Sequence, residues 1–149
     1  MPKKASQIKL FACIPVLILL FTILPACRPE PLAPQNARVL IIDPPAESTR
    51  AINTVTVKTF VEKFDLVDKT GQSNKPGEGH IIYYLDETPP IEQGVSALTA
   101  EGTCAISTDT TYIWDGLQPG THTFWAQLVN NDNTPLEPPA AVRVYVTVE

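Results

Sequence analysis

Apolar and polar residues alternate most regularly at the C-terminal end, where Val142, Val144, Val146 and Val148 fall on one face of an extended chain. That pattern predicts a strand over residues 141–148. A second stretch, residues 54–64, alternates at Val55 and Val57 and shifts phase around Thr59 and Phe60, which predicts a half-buried strand with a bulge or bend. The run Arg-Val-Leu-Ile-Ile at 38–42 predicts a first strand, stopped by Asp43-Pro44-Pro45. Residues 80–86 and 110–114 read as two more strands, and residues 121–130 as a long one. Between Val95 and Ile106 the pattern weakens, and a short edge strand or an irregular crossing is expected. The polar residues 66–79 and 131–139 read as surface loops. No helical periodicity appears outside the first two dozen residues, so the chain predicts an all-β sandwich of about seven antiparallel strands.

The strand at 121–130 is entered through Gly116-Leu117-Gln118-Pro119-Gly120, in which proline fixes one φ and glycine tolerates a positive one. This corner resembles the turn between the fifth and sixth strands of fibronectin type III domains. The resemblance implies an immunoglobulin-like or fibronectin type III-like sandwich. A broader resemblance rests on Gly77-Glu78-Gly79-His80-Ile81-Ile82-Tyr83-Tyr84-Leu85-Asp86, Trp114, Pro119-Gly120-Thr121-His122-Thr123 and Gln127-Leu128-Val129-Asn130-Asn131-Asp132-Asn133-Thr134-Pro135-Leu136. These segments are similar to a family of secreted bacterial and archaeal sandwich domains of unassigned function. That family carries further histidines where this chain has Ile82 and Asn133, so a metal role implied by the family's histidines is weakened here.

The N-terminus adds a destination. Lys3, Lys4 and Lys9 precede an apolar run from Leu10 to Leu24, shorter than the ~20 residues of a spanning helix. It ends in Leu24-Pro25-Ala26-Cys27, which resembles the bacterial lipobox. The resemblance implies cleavage after Ala26 and diacylation of Cys27 through its sulfur; the alternative is an uncleaved N-terminal membrane anchor. Either reading places the rest of the chain outside the cell. The expected organisation is a lipoprotein signal peptide at 1–26, a proline-rich tether at 27–37 and the sandwich domain at 38–149. Partnership with the membrane would then run through the lipid at Cys27, at the outer face of the cell membrane or another envelope membrane.

Processing changes charge and cysteine chemistry. The 11 basic residues lose Lys3, Lys4 and Lys9, leaving 8 against 16 acidic ones, a mature net charge of −8. Such a protein is a poor match for nucleic acid, so no nucleic-acid partner is expected. Cys13 leaves with the signal peptide and Cys27 takes the lipid, which leaves Cys104 without a disulfide partner. A single cysteine within a strand reads as a small buried hydrophobe in preference to a reactive thiol.

Three sets of residues are candidates for function. His80 and His122 each sit near the start of a strand with apolar neighbours at every second position, so both are expected on inward faces. If those strands are neighbours, His80, His122 and Asp132 form a candidate metal or small-ligand site; otherwise each imidazole caps loop backbone. The mature chain holds no methionine, the usual soft ligand for extracellular copper(I). The Asn130-Asn131-Asp132-Asn133-Thr134 run reads as an Asx-rich turn or as a recognition loop for a glycan or calcium, without the pattern of an EF-hand. Tyr83, Trp125 and Gln127 form a candidate outer binding face for a protein or glycan ligand, with burial of Trp125 the competing reading. No nucleophile, metal-hydrolase or phosphate-loop motif is present, and no enzyme is expected. The expected function is therefore a lipid-anchored, non-catalytic binding or spacing domain with no cofactor, and the alternative is a small metal-binding domain on His80 and His122.

Overall fold

The computed structural model describes residues 36–149. The signal-peptide and lipidation expectations and most of the tether fall outside the described residues. Nine strands follow in chain order: β1 (Arg38–Asp43), β2 (Ser48–Arg50), β3 (Val55–Glu62), β4 (Asp65–Leu66), β5 (Glu78–Leu85), β6 (Cys104–Ser107), β7 (Thr111–Trp114), β8 (Gly120–Val129) and β9 (Pro135–Val148). They form two sheets, a three-stranded one ordered β1-β3-β7 and a six-stranded one ordered β2-β9-β8-β5, with β4 and β6 both paired to the far edge of β5. The all-β sandwich is the architecture the alternation predicts. β2 and β4 are the additions, three- and two-residue strands running parallel to β9 and β5 respectively. They are too short for periodicity to reveal.

The core lies where the two inner faces meet. Val39, Val55, Val57 and Trp114 from the smaller sheet pack with Ile81, Tyr83, Phe124, Ala126, Leu128, Val144, Val146 and Val148 from the larger one. Leu117 of the Leu-x-Pro-Gly corner plugs this core, its amide donating to the Asn53 carbonyl at 2.9 Å, and Gly120 follows with φ of +143°. The corner thus performs the turn that its sequence predicts.

Two loop expectations are corrected. The strand β9 begins at Pro135 rather than after Pro139, because a register shift between Leu128 and Val129 lets the chain rejoin β8 early. Prolines at 135, 138 and 139 hide this strand, but they lie where β9 pairs on one side only, which is where a strand tolerates them. Likewise the 66–79 stretch gives its ends to β4 and β5.

The phase of β5 is the second correction. Ile81 and Tyr83 face the sandwich core, whereas Ile82 and Tyr84 face outward into a separate cluster with Ala97, Val129, Cys104 and Trp125. The segment between β5 and β6 crosses over this outer face and roofs it. Alternation therefore fails to tell the faces of β5 apart, since both are buried.

Candidate functional site

Antiparallel pairing of β5 with β8 sets His80 opposite Val129, and pairing of β8 with β9 sets His122 opposite Val146. The two histidines thus stand at opposite ends of β8. They also occupy opposite faces, because His122 follows the inward series Phe124, Ala126 and Leu128, while His80 follows the outward series Ile82 and Tyr84. Seven residues of strand at ~3.3 Å each separate their rows. The expectation of two inward-facing histidines is corrected at His80, and no single site draws on both. Among the described residues, no three His, Cys, Asp or Glu side chains are grouped so as to hold a metal.

Each histidine has its own surroundings. His80 is fully buried, and its Nε2 donates to Asn133 Oδ1 at 2.9 Å, with Asn133 held at a φ of +65°. Nδ1 has no hydrogen-bond partner, which fits a neutral ring. Burial pushes the His80 pKa below its ordinary value, overcoming the opposing pull of Asn133 and of the Asp68 and Asp132 carboxylates. Asp132 itself turns away into an Asx turn, accepting from the Thr134 amide at 3.0 Å and its hydroxyl at 2.6 Å. Burial raises the Asp132 pKa, but the two Thr134 bonds, with further bonds from the Asn74 side chain and the Asp132 backbone, outweigh it and hold the carboxyl low.

Around this loop lies a polar knot that binds it to the 66–79 stretch. Glu78 is buried and accepts from Lys69 Nζ at 2.8 Å and from Asn131 Nδ2 at 3.1 Å, with Lys75 at 3.3 Å. The hydrogen bond from Lys69, then that from Asn131, lower its pKa to about 2. Asn131 Nδ2 also donates to the Ser73 carbonyl, and the Gly71 amide donates to the Asn131 carbonyl at 2.7 Å. The Asn-rich run is a structural tie between two loops.

His122 forms a different device. Nδ1 lies 2.7 Å from Asp86 Oδ2 and Nε2 lies 2.8 Å from the Gln118 carbonyl oxygen. Both partners are acceptors, so the ring donates from both nitrogens and carries a proton. Burial lowers the His122 pKa, but the Gln118 carbonyl and the Asp86 carboxylate outweigh it and raise the net value. Asp86 Oδ1 also accepts the Thr123 amide at 2.7 Å. With a carbonyl rather than a nucleophile on Nε2, the pair is a clasp between the β5 end and the corner before β8.

The two histidines pull stability in opposite directions. His122 has a raised folded pKa, so its contribution is complete below the ordinary 6.5 and is lost as pH rises through the folded value. His80 has a lowered folded pKa, so its contribution is complete above 6.5 and is lost as pH falls through the folded value. Thermal unfolding across pH 5 to 9 is expected to show, in His122→Asn, a weaker decline above pH 6.5 than in the wild type. The partly exposed pair contributes about 1 kcal/mol or less, equivalent to a few degrees. Identical slopes above pH 6.5 in the two proteins would exclude the clasp.

The third candidate set is divided by the structure. Tyr83 is fully buried on the core side, stacked on Tyr112 with ring centroids 5.3 Å apart, and its hydroxyl donates to the Asp109 carbonyl at 3.0 Å. Its place on an outer face is corrected; Tyr84 takes it. Gln127 does face outward but lies under the roof, donating from Nε2 to the Pro90 carbonyl at 2.9 Å. The Tyr84 hydroxyl lies 2.6 Å from Gln127 Oε1 and 2.9 Å from the Ala97 carbonyl oxygen, two acceptors that share its one proton. Neither Tyr83 nor Gln127 is open to a ligand.

Trp125 is half-buried at the side of the outer cluster. Its cross-strand partner Arg143 holds the guanidinium carbon 5.3 Å from the Trp125 ring centre and 5.2 Å from that of Tyr145. Arg143 and Tyr145 are exposed. Sequence reading missed both, although the valines at 142, 144 and 146 already set them on the opposite face of β9. The structure therefore offers one exposed aromatic-cation patch, Trp125–Arg143–Tyr145, on the outside of the larger sheet.

No family model matches the chain. No curated protein matches it either. Among solved structures, a crystal structure described as an engineered protein aligns at 17% identity over 78% of this chain and 21% of that one, with a TM-score of 0.42. At that level the likeness carries no argument.

Proposed function

We propose that this chain is a non-catalytic binding or spacing domain, exported and held by lipid on Cys27 at the outer face of the cell membrane or another envelope membrane. The lipobox-like Leu24-Pro25-Ala26-Cys27 supports the anchor. The observation that carries the binding role is Arg143, whose guanidinium lies over two aromatic rings on an exposed sheet face. Rings pre-set the cation and offer flat apolar surface, a combination suited to a carboxylate on a sugar ring or acidic side chain. A shared metal centre on His80 and His122 finds no support in their placement, and we propose no cofactor.

Retention of the full-length protein on immobilised polyglucuronate, with neutral dextran as control, tests the binding role. Specific retention is expected to fall about tenfold in Arg143→Gln and in Trp125→Ala, the scale of one cation and one ring contact. Unchanged retention in both variants, or none in the wild type, would leave the domain as a spacer.

A further inference from the structure

The outer face of the smaller sheet departs from the polar surface expected of a solvated strand. Its outward positions carry Leu40, Ile42, Phe60 and Ile113, at 48%, 62%, 49% and 53% exposure. Leu40 and Phe60 face one another across the β1–β3 ladder, and Ile113 lies opposite Thr56 across β3–β7. Leu40 and Phe60 adjoin directly, with Ile42 next along β1 and Ile113 on the far side of β3 beyond Lys58 and Thr56, so all four share one face of the sheet. The ionic residues on this same face are Arg38, Lys58, Glu62 and Asp43, two cations and two anions, with Asp43 opposite Lys58 and paired to Arg50, and Lys63 follows the end of β3. The described residues as a whole hold 7 basic against 15 acidic residues. On a domain this acidic, an apolar face whose charges balance is the one that can approach an apolar surface with negative charge around it.

Chain geometry brings such a surface within reach. Only nine peptide steps separate Cys27 from Asn36, at most ~32 Å of extended chain, and the strand entered two residues later is β1. A domain of this size has a radius of gyration of ~13 Å. Resting on the lipid-anchor reading above, we infer that the outer face of the β1-β3-β7 sheet docks on the anionic bilayer surface, with Leu40, Ile42, Phe60 and Ile113 at the lipid boundary and Arg38 and Lys58 at the headgroups. The opposite sheet, with Trp125, Arg143 and Tyr145, then points away from the membrane.

Hydroxyl-radical footprinting of the full-length protein, purified from membranes and reconstituted into phosphatidylethanolamine–phosphatidylglycerol vesicles, reads the orientation directly. Oxidation of Phe60 is expected to slow by about fivefold or more relative to the protein in detergent, with Tyr145 unchanged. A Phe60→Glu, Ile113→Glu variant should restore oxidation of Leu40 on the same vesicles. Vesicle flotation with equal oxidation of both sheets would overturn the docking and leave the anchor standing. Failure to float would remove the anchor and the docking together. Protection of Phe60 in detergent that grows with protein concentration would assign the face to a second copy of the chain and overturn the bilayer as occupant.

Discussion

Gly79→Ala is expected to unfold the domain or cost it at least about 3 kcal/mol, a loss of about 10 °C in melting temperature. A methyl group built on Gly79 falls on the Val129 backbone carbonyl and within 2.8 Å of the Phe64 ring. The ring can turn, but the carbonyl belongs to the central β5–β8 pair, where His80 faces Val129. Gly79 also pairs with Leu66 of β4, and its carbonyl accepts from the Val67 amide at 2.7 Å, so β5 cannot back away. Gly71 provides the contrast, since a methyl group there meets nothing within 4 Å and only its φ of +78° resists. Gly71→Ala is expected to cost about 1 kcal/mol. Urea unfolding of the two variants compares crowding with backbone strain, and equal midpoints would reject the close approach at Gly79.

Cys27→Ala is expected to move nearly all of the protein out of the detergent phase or to stall it as an unprocessed precursor. The physical reason is additive, at ~0.8 kcal/mol for each methylene buried in the bilayer, so two acyl chains dominate any contribution from a protein surface. Normal maturation together with undiminished partitioning would reject lipid attachment at Cys27.

The sequence-level reading succeeds where one face of a strand meets water. Val55 and Val57, and the valines from 142 to 148, alternate with polar residues because their strands have an inside and an outside. It fails at β5, whose residues from Glu78 to Tyr84 are all buried. The roof over that face takes Gln127 and Tyr84 through the carbonyls of Pro90 and Ala97, acceptors that every residue type offers and no composition betrays. For that reason the faces of His80 and Tyr83 were not legible. The clasp at His122 was half legible, since the imidazole was evident but its carboxylate, Asp86, lies 36 positions away. The Trp125–Arg143–Tyr145 patch was within reach of the pattern, because it needs only the pairing of two alternating strands.

The order of strands in the smaller sheet also decides how the domain would bear tension. The chain coming from Cys27 enters β1, an edge strand that pairs with β3 alone. A ligand held at Arg143 would pull on β9, which β8 and β2 flank on either side. Load between membrane and ligand would therefore reach the β1–β3 ladder as the first link to yield, while the larger sheet stays whole. Under force, loss of β1 would lengthen the tether by the strand itself and withdraw Val39 from the core. The domain would lengthen before it let go.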